Sequence, residues 1–158
     1  MADVFSKTKR SQVMARIRSR GNAGTEMRLV SVFRLERIIG WRRHVRVESG
    51  RRGAQSFDVR PDFVFAANKL AVFVDGCFWH TCPQHGHTPR SNRQYWIAKL
   101  ERNRKRDRLV RRGLYSAGWR VLRIWAHELK APKRVVARVR RVLLATAAQR
   151  TTASRPTR

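Results

Sequence analysis

Acidic residues are scarce in this chain: ten, against 37 lysines and arginines, for a formal charge of +27 over 158 residues. Such an excess makes the compact state repel itself unless a polyanion neutralises it. Nucleic acid is the natural partner, because neutralised phosphates release condensed counterions. A coding bias toward arginine explains arginine in place of lysine, but it explains the excess over acids less well. Cysteine is scarce too: two residues exclude a disulfide framework and, in a cytosol-like chain, point to metal ligation or free thiols. No apolar run approaches the roughly 18 residues of a membrane span. The opening "MADVFSKTKR" lacks the apolar centre of a secretory signal. Internal repeats and glycine-rich phosphate loops are missing as well.

What is there divides into three stretches. Residues 1–22 are basic and polar, with a short helical stripe of Val13, Met14 and Ile17, and read as an arm rather than core. Residues 23–145 hold the apolar patterning of one domain, and residues 146–158 read as a basic disordered tail. Within the domain, Thr25 can cap a helix with Leu29, Val30, Phe33 and Ile38 on one face, stopped by Gly40. "WRRHVRV" and "FDVRPDFVF" alternate like strands; the second puts Phe57, Val59, Phe63 and Phe65 on one face. "LAVFVDG" reads as a buried strand. A long helix capped by Ser91 or Asn92 follows, apolar on one side through Trp96, Ile97, Leu100, Leu109, Val110 and Leu114, and nearly solid arginine and lysine on the other. Gly113 and Gly118 can end it. "WRVLRIW" is another strand, and Pro132 opens a last helix striped by Val135, Val136, Val139, Val142 and Leu143. The order predicts an α/β fold: a mixed central sheet flanked by helices.

Two acids stand out. If strands 57–65 and 70–75 form a hairpin with Asn68-Lys69 as its turn, Asp62 lies opposite Asp75; if the turn centres on Ala67-Asn68, they are diagonal neighbours on one face. A three-residue loop would separate them onto opposite faces. Paired carboxylates suit a hard cation such as Mg²⁺, which takes few protein oxygens and fills the rest of its shell with water and phosphate. They can equally pair with Arg60 or another arginine. His80, five residues past Asp75, is a candidate general base. Glu26 is either a further acid of the site or an ordinary first-turn acid favoured by the helix dipole.

Between these groups runs "DGCFWHTCPQHGH", which holds both cysteines and three of the five histidines. Cys77, Cys82 and His85 can supply three zinc ligands, with His87 or the distant His127 as the fourth. Phe78 and Trp79 lie between the two cysteines. Trp96 lies near the start of the basic helix. Each ring either packs in the core or enters between base steps.

Taken together, "RPDFVF", "VFVDGCFWHTCP", "RNRKRDR" and "GWRVLRIW", preceded by "KRSQVMARIRSRG", resemble the very short patch repair (Vsr) DNA mismatch endonuclease family from about Thr8 to about Glu128. The resemblance implies a core like that of type II restriction endonucleases. It implies Mg²⁺-dependent nicking 5′ to the thymine of a T:G mismatch left by a deaminated 5-methylcytosine. It assigns Asp62 to the catalytic metal, His80 to general-base work and Glu26 to the site. Cys77, Cys82 and His127 match structural zinc ligands, with His85 as the fourth. Phe78, Trp79 and Trp96 match rings that intercalate beside the mismatch, and Met14 an arm residue that reaches the DNA. Arg104 and Arg106 of the basic helix are expected to grip phosphates. Familiar members carry Thr-His where this chain has Val74-Asp75, so a second Mg²⁺ ligand at Asp75 is an expectation of the hairpin geometry. The expected setting is a bacterial cytoplasm, on the nucleoid when DNA is bound. The enzyme is expected to be a monomer with mismatch DNA as partner, mismatch-repair proteins as further candidates, and no membrane.

Overall fold

A computed structural model of the chain describes residue 22 and residues 24–48 and 58–153. The arm expected over residues 1–22, with Met14, lies outside the described residues save for Asn22. Helices α1 (Glu26–Leu35), α2 (Arg93–Ser116) and α3 (Pro132–Ala153) surround six strands: β1 (Arg42–Arg43), β2 (Val47–Glu48), β3 (Asp58–Val59), β4 (Phe63–Phe65), β5 (Leu70–Asp75) and β6 (Arg120–Trp125). The central sheet has the order β1-β4-β5-β6, antiparallel except for the β5–β6 pair; β2 and β3 form a separate ribbon. A mixed sheet between helices is therefore the architecture.

Each face of the sheet has its own cover. Leu29, Val30 and Phe33 of α1 and Val135, Val136 and Val139 of α3 pack on Phe63, Phe65, Leu70, Val72, Leu122 and Ile124. Phe33 meets Phe63 and Phe65 edge-on at 5.2 and 5.9 Å, the arrangement favoured by ring quadrupoles. On the opposite face, Leu114 and Val110 of α2 cover Val64, Ala71, Phe73 and Val121. The β5 residues alternate between the two clusters, as a strand period of two demands. Among the described residues no helix is long and apolar enough to cross a membrane.

Several expected boundaries move. Helix α1 ends at Leu35, before Gly40: Arg37 takes the left-handed conformation (φ 51°), and the Ile38 N–H donates to the Phe33 carbonyl at 2.8 Å. The buried Ile38 is the hydrophobic partner that such a helix end recruits. Helix α2 runs through Gly113 and stops at Gly118 (φ 76°), where the Trp119 N–H reaches the Leu114 carbonyl at 2.9 Å. Ile97 and Leu109, expected on its apolar side, are exposed. "FDVRPDFVF" is two strands in two sheets, because Pro61 has no N–H for a ladder and restricts Arg60 before it. "WRRHVRV" likewise breaks at His44, whose φ is 51°. The last helix continues to Ala153 instead of giving way to tail after residue 145; Ala147, Ala148, Gln149 and Arg150 are good helix formers with no glycine or proline among them.

Candidate active site

The β4–β5 connection decides how the two acids meet. A short 3-10 turn at Ala66–Asn68 and a left-handed Lys69 join the strands, and the register Phe63↔Val72 centres the turn on Ala67-Asn68. Continued by one step, the ladder sets Asp62 beside Phe73, diagonal to Asp75 on the same face. Asp62 Oδ2 accepts the Val74 N–H at 2.7 Å. Burial raises the Asp62 pKa to about 6; the Val74 hydrogen bond lowers it, the charges of Glu26 and Asp75 raise it, and His80 lowers it.

The structure departs here from the expected pair of ligands. Both Asp75 oxygens are taken by Arg123, through Nε on Oδ2 and through an NH2 donor on Oδ1 at 2.8 Å. The groups that stand with Asp62 are Glu26 and His44, each offering an atom within 4.8 Å of the others. Glu26 is buried in the first turn of α1, and its Oε2 accepts from Arg43 at 2.7 Å and lies 3.0 Å from His44 Nε2. This donor set of two carboxylates and one imidazole fits a divalent cation. Among the described residues, Arg43 is a cation that pairs with Glu26.

Asp62 titrating near 6 carries a stability consequence. A carboxyl whose folded pKa lies above its unfolded value favours the folded state while protonated; that contribution fades as pH rises from about 4 to about 6. Asp62→Asn keeps an acceptor for Val74 and removes the buried charge. In Mg²⁺-free buffer it is expected to raise the thermal midpoint at pH 8 and to leave it nearly unchanged at pH 4.5. A lower midpoint at pH 8 would contradict the assignment of Asp62 as a strained charge.

His80 sits on the loop after β5, held by its own N–H to the Gly76 carbonyl at 3.2 Å. Its Nδ1 lies 2.7 Å from Asp107 Oδ2 on α2 and 3.1 Å from an Arg123 nitrogen. Burial pulls the Asp107 carboxyl up, but the His80 hydrogen bond and charge, with Arg123, outweigh it and hold it below the usual range. For Arg123, burial opposes the charge, while Asp75 and Asp107 overcome it and raise its pKa. Asp75, Arg123, Asp107 and His80 thus form one network across three elements. Arg123→Leu would strip Asp75, 3 % exposed, of its hydrogen-bonded cation and leave it only His80 Nδ1 at 3.8 Å among the described residues, at an expected cost of about 3 kcal/mol in urea unfolding. Asp75→Asn combined with Arg123→Leu should recover most of it; equal losses in the single and double variants would refute the pairing.

Beyond His80 the loop gathers its metal-ligating residues. Cys77, Cys82, His85 and His127 present ligand atoms within 4.8 Å of one another. His127 Nδ1 is 3.2 Å from Cys77 Sγ and 3.6 Å from Cys82 Sγ, and His85 Nδ1 is 3.8 Å from Cys82 Sγ. Sulfur and nitrogen ligands of a tetrahedral zinc stand about 3.6 Å apart, given bonds near 2.3 and 2.0 Å. The four residues therefore fit a closed metal site of zinc type. His87 is not among them; its ring packs on Phe78 at 5.3 Å. The Cys82 N–H donates to the Cys77 carbonyl at 2.8 Å, and Gly86 donates to the Cys82 carbonyl at 2.7 Å. A Cβ on Gly86 would meet that carbonyl oxygen at 2.5 Å, so only glycine closes the loop this tightly. Glu128 accepts the Trp125 N–H at 2.7 Å and pairs with Arg138, fixing the turn that presents His127.

The three candidate wedge rings are packed on one another. Phe78 lies 5.0 Å from Trp79 and 5.2 Å from Trp96, both edge-on, and Trp79 lies 6.0 Å from Trp96. Trp96 is buried, whereas Phe78 and Trp79 are half-buried. The loop pair thus finds ring partners at the start of α2 and is not left standing in solvent. Arg104 and Arg106 are exposed on α2, and Arg104 Nε donates to Thr81 Oγ1 at 2.7 Å. Helix α2 carries nine lysines and arginines against Glu101 and Asp107.

Three residues of this region escape a reading by spacing: His44, Asp107 and Arg123. His44 looks like a strand residue, and Asp107 is one acid inside "RNRKRDR". Arg123 alternates outward in a strand whose neighbour on that face is known only from the β5–β6 register. A lone acid in an otherwise basic helix is the one signal that could have been followed.

The family model described as "DNA mismatch endonuclease Vsr" matches residues 2–88. The type II nicking enzyme V.XorIIP of Xanthomonas oryzae pv. oryzae is 34% identical over 145 residues, covering 90% of this chain and 98% of that one. The DNA mismatch endonuclease Vsr of Escherichia coli K12 is 34% identical over 140 residues, 85% of this chain and 80% of that one. The type II nicking enzyme V.NaeI of Lentzea aerocolonigenes is 61% identical over 70 residues, 44% of this chain and 42% of that one.

Proposed function

Because the chain belongs to the DNA mismatch endonuclease Vsr family of DNA endonucleases, we propose that it nicks one strand of duplex DNA 5′ to the thymine of a T:G mismatch, by Mg²⁺-dependent hydrolysis, on a core of restriction-endonuclease type. The observation that carries this reading is the meeting of Asp62 with Glu26 and His44, with His80 near enough for its charge to act on Asp62. Asp62 and Glu26 would hold the cation. A cation there would neutralise charge on a scissile phosphate and acidify water beside it. His80 takes the proton: with Nδ1 donating to Asp107, Nε2 keeps the lone pair that accepts it. Asp107 thus sets the tautomer and orientation of the base. Asp75, locked by Arg123, braces this arrangement and leaves cation binding to its neighbours.

Cys77, Cys82, His85 and His127 would hold a structural zinc, tying the loop to the turn after β6. Phe78 and Trp79 follow from one zinc ligand and His80 from the same loop, so one brace would fix wedge and base together. Trp96 supports the pair from α2. Separating the rings from one another, and exposing Trp96, accompanies entry into the base stack in this reading. Arg104, Arg106 and the arm with Met14 would hold the backbone and approach the mismatch.

The test is a set of labelled duplexes carrying one T:G pair in varied flanking sequences, beside T:A controls, resolved on a denaturing gel with and without Mg²⁺. One nick 5′ to the mismatched thymine, dependent on Mg²⁺, is expected. Cleavage of both strands of matched duplex would instead identify a restriction-type enzyme. Salt-sensitive binding with no nick in any context would identify a binding module.

A further inference from the structure

The acid cluster holds an imidazole, that of His44, beside Glu26 and Asp62. His44 follows β1, and the β1–β4 register Arg42↔Val64 and Arg43↔Phe63, continued by one step, sets His44 directly opposite Asp62. Their backbones touch there, the His44 N–H approaching the Asp62 carbonyl at 3.4 Å. A left-handed φ of 51° ends the strand at this residue. The side chain then turns Nε2 toward the acids: 3.0 Å from Glu26 Oε2, and within 4.8 Å of an Asp62 carboxylate oxygen. Glu26, at 4 % exposure, and the half-buried Asp62 approach one another closely enough that each charge disfavours the other. Among the described residues, Arg43 brings a cation to this point: its NH2 group contacts both Glu26 at 2.7 Å and His44 Nε2 at 3.3 Å. Its Nε is buried with no hydrogen-bond partner among the described residues, so the pocket leaves part of the guanidinium unsatisfied.

We propose that His44 Nε2 is a third protein ligand, with Asp62 and Glu26, of the divalent cation at the active site, and that this nitrogen shifts the site's preference from Mg²⁺ toward Mn²⁺. The inference rests on the reading of Asp62 as a metal ligand. Mg²⁺ holds to oxygen and keeps its waters, whereas later divalent ions of the first transition row accept imidazole more readily. A site with two carboxylates and one imidazole therefore discriminates between ions that an all-oxygen site treats more alike. Arg43 would withdraw from Glu26 when the ion enters, because the two cations compete for the same oxygen.

The experiment uses the full chain loaded with zinc, so that added Mn²⁺ does not enter the cysteine-histidine site. Mn²⁺ and Mg²⁺ are titrated by calorimetry, and the Mn²⁺ complex is examined by electron spin echo for coupling to a directly bound nitrogen. The wild type is expected to show that coupling and to bind Mn²⁺ more tightly than Mg²⁺. His44→Gln, which keeps a hydrogen-bonding group toward Glu26, should lose the coupling and weaken Mn²⁺ about tenfold or more while changing Mg²⁺ far less. If that variant does not fold, His80→Gln supplies the control: the coupling must persist in it. Mn²⁺ binding with no nitrogen coupling in the wild type, or coupling that survives in His44→Gln, overturns the proposal for His44 and leaves Asp62 as a ligand. Absence of binding by either ion in the wild type overturns the metal reading of Asp62 along with it.

Discussion

Asp62→Ala is expected to bind T:G duplex like the wild type and to lose nicking by on the order of 10³-fold or more. Removing a ligand that places a cation on a scissile phosphate forfeits several kcal/mol of transition-state stabilisation, and about 4 kcal/mol already corresponds to that factor. Binding is expected to survive because affinity for duplex comes chiefly from phosphate contacts, and those are expected from the nine basic residues of α2 and from the arm. The same substitution removes a half-buried charge whose pKa is pushed up to about 6, so the variant is not expected to unfold. Gel shift and single-turnover nicking on one duplex, at one salt concentration, measure both halves of this expectation. Parallel loss of binding and nicking would mean that Asp62 organises the fold and does not hold the reacting phosphate.

Cys82→Ala is expected to act on everything at once. Cys82 is 2 % exposed and meets both His85 and His127, which come from different elements. A structural zinc contributes on the order of 10 kcal/mol to a folded state. Even half of that would lower the thermal midpoint by roughly 10 °C or more, at about 2–4 °C per kcal/mol for a chain of this size. Mismatch binding should fall together with stability, because Phe78, Trp79 and His80 all lie between the two cysteines. Gly86→Ala tests the same brace without touching a ligand, since its Cβ would collide with the Cys82 carbonyl. It should lower zinc content, measured by metal analysis, in step with the midpoint. Full zinc content and an unchanged midpoint in Cys82→Ala would refute a structural metal at this place.

Much of this was readable before any coordinates. The β5 strand, the basic α2 and the valine stripe of α3 announce themselves by period and composition. Cys77, Cys82, His85 and His127 announce themselves by residue type, though only packing brings His127 in and sends His87 to Phe78. The hairpin arithmetic leaves Asp62 and Asp75 opposite, diagonal or on opposite faces according to the turn; the register makes them diagonal on one face, and spacing says nothing of which cation each meets. Arg123 reaches Asp75 because β6 runs parallel to β5, and parallel pairing between strands far apart in sequence leaves no local trace. Glu26 and His44 join Asp62 through elements apart in sequence, α1 and the antiparallel β1–β4 pair, whose meeting also leaves no local trace. Of the two places open to each ring, Phe78 and Trp79 take packing on Trp96, because a half-buried ring beside another ring is better off than one in water.

Two metal duties are proposed: zinc would brace the loop, and a cation at Asp62 would support hydrolysis. Zinc-loaded protein mixed with a T:G duplex, first without and then with added Mg²⁺, tests that division most directly. The predicted result is a retarded complex with intact strands, followed on addition of Mg²⁺ by a single nick 5′ to the mismatched thymine. Nicking before Mg²⁺ is added, with zinc as the only metal present, would contradict it.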